Sequence, residues 1–343
     1  MKAAIIPYQQ ASGLRALRYL TPDFLIPVAG KPLAEHLVEY FVSAGIRDIC
    51  LLVEDDPAAV ERYFGTGERW GAEIQVLAAD ENLPLSVQLT AAFIGITGPI
   101  CCVPANLMLS GDFAEIKADA STGSLPIVSG NTGEPALFVA DADILQAAEQ
   151  SEGNTDYYRL LDFLRNSQKK PLRSGIRSRL LTTLDEYLAA QRFILDESWP
   201  GMRISASRRE DGIWIDDHVT ISPQIKLIAP VLIGHHSRID GSGTIGPNAV
   251  IGPFCLINDT DLIEASVLLP GTATGPHTEL SHLVVHGSRI VDVRRGVCVT
   301  SPDAFILGDL PKSDGKKPMQ TGFLLIILFI AILGLLFGYF FLR

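Results

Sequence analysis

Between Ile215 and Leu269 an aliphatic residue recurs at every sixth position: Ile215, Ile221, Leu227, Ile233, Ile239, Ile245, Ile251, Ile257, Ile263 and Leu269. A period of six suits a parallel coil with three sides, each side pointing one aliphatic inward and each turn using about eighteen residues. Gly234, Gly246 and Gly252 directly follow three of these residues, where such a coil turns its corners. The spacing predicts a left-handed parallel β-helix over residues 210–300. Its ten hexads supply roughly three coils, and a less regular continuation to about residue 299 adds another.

The first part of the chain has a different rhythm. Apolar strand-like runs at Ala3–Ile6, 48–55, 72–79 and 99–105 alternate with helical segments near 32–44, 57–64 and 85–94. This alternation predicts parallel strands joined by crossover helices, an α/β sheet of the doubly wound kind spanning residues 1–197. Ser121–Pro135 is rich in turn formers and reads as an exposed loop or hairpin, and helices near 141–150, 156–167 and 184–196 close the domain. A net charge of −11 offers no electrostatic footprint for nucleic acid. The five cysteines, Cys50, Cys101, Cys102, Cys255 and Cys298, lack CxxC spacing and sit mainly in apolar runs, so they are expected to be buried thiols in a reducing compartment.

The segment Leu14–Ala44 points to an ancestry. Leu14, Leu17, Leu20, Thr21, Pro22, Pro27, Val28, Gly30, Lys31 and Pro32 align without a gap to the opening pattern of the sugar-1-phosphate nucleotidyltransferases, G-x-G-T-R-L-x-P-L-T followed by T-P-K-P-L-x-P-V-A-G-K-P. The resemblance implies a nucleotidyltransferase-like domain descended from enzymes that make nucleotide sugars. In that register the two loop glycines of the family fall on Gln9 and Ala11, and the loop arginine on Gly13. The lysine that reaches the phosphates falls on Asp23. A carboxylate in place of a cation there is adverse, because two unit charges about 4 Å apart repel by roughly 4 kcal/mol at an effective dielectric near 20.

The departures continue downstream. The metal-binding N-G-D of the family corresponds to Pro104–Ala105–Asn106, which leaves Asn106 as a neutral and weak Mg²⁺ ligand. The glycine-rich loop of the family falls on Pro84–Thr90, which has no glycine, and the second metal-site aspartate falls on Leu180. The resemblance therefore implies a catalytically degenerate homologue with no resident cofactor. The alternative is an active sugar-1-phosphate nucleotidyltransferase using Mg²⁺, with Arg15 and Lys31 as phosphate contacts and Asn106 beside the metal.

The hexad module also resembles hexapeptide-repeat acyltransferases, in which a histidine acts as base. Candidates in this chain are His218, His235, His236, His277, His282 and His286. No inserted loop or paired carboxylate singles one of them out, so acyl transfer stands as a second alternative to a scaffold role for the coil.

After a polar linker over 301–321, Gly322–Leu342 runs without a charged residue and is long enough, at about 1.5 Å per residue, to span a hydrocarbon layer of roughly 30 Å. It is expected to be a single C-terminal transmembrane helix, with Gly334 and Gly338 able to permit close helix approach. Lys312, Lys316 and Lys317 precede it and only Arg343 follows, which favours an N-terminal body at the cytoplasmic face of the inner or plasma membrane. No cleavable N-terminal signal is expected, since Pro7 and the glutamines interrupt the first apolar run. Taken together, the expectation is a membrane-tethered scaffold or regulator in nucleotide-sugar and envelope polysaccharide metabolism. Its expected partners are copies of itself, an active nucleotidyltransferase or a membrane glycosyltransferase, and no nucleic acid.

Overall fold

Runs of Ala, Ile, Val and Cys that are buried on both faces can be satisfied only in a sheet covered by helices on each side. In the computed structural model, which describes residues 1–7, 12–80, 82–93, 98–121, 127–129, 135–149, 157–166, 175–303 and 306–309, they form that sheet. In chain order the elements are β1 (Lys2–Ile6), α1 (Arg15–Arg18), a small hairpin β2 (Pro27–Val28) and β3 (Lys31–Pro32), α2 (Leu33–Ser43), β4 (Asp48–Val53), α3 (Pro57–Phe64), β5 (Glu73–Ala78), α4 (Leu85–Ala92), β6 (Ile100–Pro104), β7 (Leu107–Ser110), α5 (Ala114–Ser121), β8 (Ile127–Ser129), β9 (Pro135–Ala140), α6 (Ala142–Glu149), α7 (Tyr157–Asn166), β10 (Arg177–Leu180) and α8 (Leu184–Leu195).

The sheet order is β5-β4-β1-β6-β9-β8. The first four strands are parallel, and β9 and β8 join antiparallel. Because side chains alternate along a strand, Ala3 and Ile5 of β1 enter a core with Leu37 and Phe41 of α2 and Ile194 of α8. Ala4 and Ile6 enter a second core with Leu89 of α4, Leu145 of α6 and Leu160 of α7. Helices thus cover both faces. Of the loop or hairpin expected over 121–135, the described part is β8, which pairs antiparallel with β9, while residues 122–126 and 130–134 lie outside the described residues.

From Ile213 the chain winds as a parallel coil with three sides. On the first side Ile213–Ile215, Val231–Ile233, Ala249–Ile251, Val267–Leu268 and Leu283–His286 stack in parallel. The coil interior is filled by Ile233, Ile239, Ile245, Ile251, Ile257 and Ile263, as the hexads predict. The strict register ends one position early, however. Ile251 pairs with Leu268, and it is Leu268 that enters the coil core, whereas Leu269 joins the core shared with the α/β sheet. The cause is a corner shortened by one residue: Ala265–Ser266 turns where Gly246–Asn248 does in the coil before, with Ala265 at φ +42°. A fourth coil is present, but beyond His286 the chain departs into antiparallel strands Arg289–Asp292 and Val297–Thr300.

Met1–Asp309 packs as one compact unit. The first side of the coil explains why: Leu232, Val250, Val267 and Val284 turn outward and bury themselves in the same core as α2 and α8. Outward positions on the other sides, such as Arg238, Asp240 and Lys226, are charged. Burying one leucine in that seam contributes about 2 kcal/mol. All five cysteines are free thiols, four of them buried and Cys298 half-buried. Among the described residues no helix is long and apolar enough to cross a membrane, and Gly322–Leu342 lies outside them, as does the linker from residue 310 onward.

Candidate functional site

In an open α/β sheet, ligands bind beyond the carboxyl ends of the parallel strands. Here that edge is formed by the ends of β1, β4 and β6. Residues 8–11, which follow β1 in the sequence, lie outside the described residues, Gln9 and Ala11 among them. The chain is described again from Ser12, where Gly13 backs onto the segment that follows β10. A Cβ at Gly13 would sit 2.5 Å from the carbonyl oxygen of Thr182 and 3.0 Å from the Cα of Thr183. The position aligned with the loop arginine of the family therefore has no room for a side chain.

Asp23 is buried, and its Oδ2 lies 2.5 Å from Nη2 of Arg18, which also stands 3.9 Å from Glu54. The carboxylate has thus engaged the nearest cation of α1. Arg15 is exposed and borders a shallow depression with Arg18, Tyr19, Glu54 and Asp55. With Asp23 included, this edge carries two guanidiniums and three carboxylates, an adverse balance for a triphosphate.

Asn106 follows β6, in the turn before β7, and is buried. Its Nδ2 donates to the Leu181 carbonyl at 2.7 Å, and the Leu181 amide donates to the Asn106 carbonyl at 2.9 Å. Strand β10 runs antiparallel to β7 and pairs Leu180 with Leu107, so the two positions aligned with the metal ligands do converge. One is an amide whose Oδ1 is buried without a hydrogen-bond partner, and the other is a hydrocarbon side chain. One neutral oxygen does not meet the demand of Mg²⁺ for carboxylates in octahedral geometry, and among the described residues no group of three or more His, Cys, Asp or Glu gathers to hold a metal. The donor set does not fit Mg²⁺.

The neighbouring acid is committed elsewhere. Glu186 Oε2 accepts from the amide and hydroxyl of Thr182, each at 2.7 Å, while the Thr183 hydroxyl caps α8 by accepting from the Glu186 amide at 3.1 Å. Burial pushes the Glu186 carboxyl up, but the Thr182 hydrogen bonds and Arg179 outweigh it and hold the group below its ordinary value. Pro84–Thr90 likewise forms no glycine loop: it enters α4 at Leu85, and Gln88 uses its amide to tie down the backbone of Asp80 and Leu83.

Lys31 lines a different cavity from Arg15. It projects from the β2–β3 hairpin, is buried, and is held by both carboxylate oxygens of Glu39 at 2.7 and 2.6 Å. Together they line a cavity of about 830 Å³ between the hairpin, α2 and the first side of the coil. Gly30 (φ +87°) brings the hairpin onto the coil, since a Cβ there would lie 3.0 Å from Leu232. Deeper in α2, Glu35 is buried and bound by Tyr63 and by Arg69 at 3.0 Å. His36 beside it is wholly buried, and burial followed by the charge of Lys31 lowers its pKa to about 3. The neutral ring donates Nε2–H to the Val28 carbonyl at 3.0 Å.

Three of the coil histidines, His218, His235 and His236, are in ring contact with one another at one corner. His218 and His236 stack with Phe254 on one corner, His235 faces Asp216 at 3.4 Å, and the exposed His277 faces Asp261 at 3.4 Å. None is a buried base oriented by a carboxylate. The junction cavity was not anticipated from sequence. Its signal was available in Leu232, Val250, Val267 and Val284, apolar residues at outward positions one coil apart.

Comparison with known proteins finds resemblance to nucleotidyltransferases. Residues 11–127 match the model of the family described as Nucleotidyl transferase. A UTP–glucose-1-phosphate uridylyltransferase of Synechocystis is 23% identical over 349 residues, covering 85% of this chain and 89% of that protein. A glucose-1-phosphate thymidylyltransferase of Streptomyces antibioticus is 22% identical over 354 residues, covering 91% and 99%. A low-salt glycan biosynthesis nucleotidyltransferase of Haloferax volcanii is 25% identical over 268 residues, covering 73% and 71%.

Proposed function

From the membership of residues 11–127 in the nucleotidyl transferase family, we propose that this chain is a catalytically silent relative of the sugar-1-phosphate nucleotidyltransferases that acts as a membrane-tethered scaffold or regulator. One observation carries the reading. Where two metal carboxylates would meet, Asn106 spends its amide on Leu181 and Leu180 contributes only hydrocarbon. The Asp23–Arg18 pair and the filled space at Gly13 support it, since phosphoryl transfer depends almost wholly on positioning and on stabilising developed charge.

Tethering is supported by the uncharged run Gly322–Leu342 and the lysines before it. Nucleotide sugars are consumed at membranes, which gives such a body a use beside an active nucleotidyltransferase or a glycosyltransferase. The test is pyrophosphate release by the full chain in detergent, supplied with glucose 1-phosphate, Mg²⁺ and UTP or dTTP. The reading expects release at the level of a protein-free control. Turnover at an ordinary enzymatic rate overturns it, and recovery of the chain in the soluble rather than the membrane fraction of cells overturns the tether.

A further inference from the structure

The eight-stranded sheet on the first side of the coil has two edges, and they are built differently. One edge is the strand Ser207–Glu210. All four of its residues are exposed and three are charged, its register is broken between Arg208 and Glu210, and Arg208 is engaged by Glu197 and Asp211. Charge and a bulge are the ordinary means by which a sheet edge is kept from pairing with another chain.

The other edge, Val297–Thr300, carries neither. Three of its four residues are β-branched, it pairs with Arg289–Asp292 in unbroken register, and among the described residues nothing pairs with its outer side. Cys298 lies on the same face as Val291 and packs against the shared core. On the opposite face Val297 and Val299 are 45% and 49% exposed. The Ser301 amide donates to the Ser288 carbonyl at 2.7 Å. Ladder bonds alternate along an antiparallel strand, so the backbone groups of Val297 and Val299 also point toward Arg289–Asp292, and those of Cys298 and Thr300 point outward.

Charge supplies the direction of pairing. Arg294 and Arg295 stand exposed just before the strand, and Asp303 stands exposed just after it. Arg295 is engaged by Asp292 at 3.1 Å, whereas Arg294 has no carboxylate partner among the described residues. A copy of this strand laid parallel would set arginines against arginines. Laid antiparallel, it turns the arginine end of each copy toward the Asp303 end of the other.

We propose that Val297–Thr300 is a homodimer interface, in which the strand pairs antiparallel with the same strand of a second copy about a two-fold axis. Such a contact satisfies both outward edges at once, sets valines beside valines, and leaves no edge of this kind for a third chain. It stands whether or not the chain is catalytically silent or tethered.

The test is analytical ultracentrifugation of the full chain in detergent over a range of concentrations. A monomer–dimer equilibrium is expected, with dimer predominating at about 50 μM. Val299→Lys puts a charge on the edge, and Thr300→Pro removes an outward amide while leaving the inner ladder intact; each is expected to weaken association about tenfold or more. Ser207→Lys on the opposite edge leaves it unchanged, as does Gly334→Leu in the apolar C-terminal run. A monomer at every concentration overturns the proposal, as does association lost in Gly334→Leu but kept in Val299→Lys and Thr300→Pro. Assemblies larger than a dimer that Ser207→Lys breaks up also overturn it, because the two edges then pair head to tail. Amide exchange checks the same pairing without a substitution: the Cys298 and Thr300 amides are expected to be protected in the dimer and to lose protection on dilution, and fast exchange of both in the dimer overturns the proposal.

Discussion

Two regions of the molecule, the carboxyl ends of the parallel strands and the junction with the coil, treat charge in opposite ways. At the carboxyl ends of β1, β4 and β6, polar groups are bound to one another: Asp23 to Arg18, Asn106 to Leu181, and Glu186 to Thr182. Gly13 packs against backbone and leaves no volume. At the junction with the coil the charged pairs form the walls of an open space, and the Arg203 guanidinium has no ion-pair partner among the described residues. Competence to bind a ligand depends on which polar groups still have unmet valence and room beside them.

The comparison is most sharply stressed at Leu232, which forms both a wall of the junction cavity and part of the shared core. Leu232→Ala is expected to destabilise the folded unit by about 3 kcal/mol through lost burial and a residual cavity, measured by denaturant unfolding of the full chain. A loss near zero would mean that the coil is not integral to the core. On the other side, Arg18→Ala removes the cation that balances buried Asp23. The expected cost is about 2 kcal/mol, less than for a wholly buried pair because Arg18 is partly open to solvent, and Asp23→Asn in the same background should recover most of it. If Arg18→Ala instead costs nothing and raises affinity for nothing, the self-neutralised edge is misdescribed.

His36 gives the junction side a pH signature. Its folded pKa lies near 3, below the value of 6.5 in the unfolded chain, so below about pH 6.5 the unfolded state takes up a proton that the native state refuses. Stability should therefore fall by about 1.4 kcal/mol per pH unit from this residue as the pH drops from 6.5 toward 3. The difference between wild type and His36→Gln, followed by thermal unfolding at pH 7.5 and 5.5, should change by about that amount per unit below 6.5. The smallest effect expected is at the cap behind Gly13, where Thr183→Ala should cost about 1 kcal/mol. Its partner Glu186, held below its ordinary pKa, contributes stability above its unfolded value that is lost as the pH falls through its folded one.

Much of the architecture was readable because it rests on period. Alternating strands and helices placed β1, β4, β5 and β6 within a residue or two, and the hexads placed the coil interior through Ile263. The reading slipped at Leu269 because a corner one residue shorter, at Ala265–Ser266, leaves no trace in an aliphatic spacing that happens to continue. The positions aligned with the metal ligands, Asn106 and Leu180, are some seventy residues apart in sequence and lie beside each other because β7 and β10 pair. Alignment to the family pattern also placed Lys31 beside phosphate, whereas the side chain lies in the junction cavity against Glu39. A lysine at the head of a hairpin can turn to either side, and no local pattern records which. The junction cavity itself needed three distant segments and was legible only as outward apolar residues repeated on one side of the coil.

The central claim is that the ancestral edge cannot recruit a metal-bound triphosphate. It is tested most directly by calorimetric titration of UTP and dTTP into the full chain in detergent, once with Mg²⁺ and once with EDTA. The account predicts the same weak or absent binding under both conditions. Affinity that rises tenfold or more with Mg²⁺, and falls again in Asn106→Ala, would contradict it.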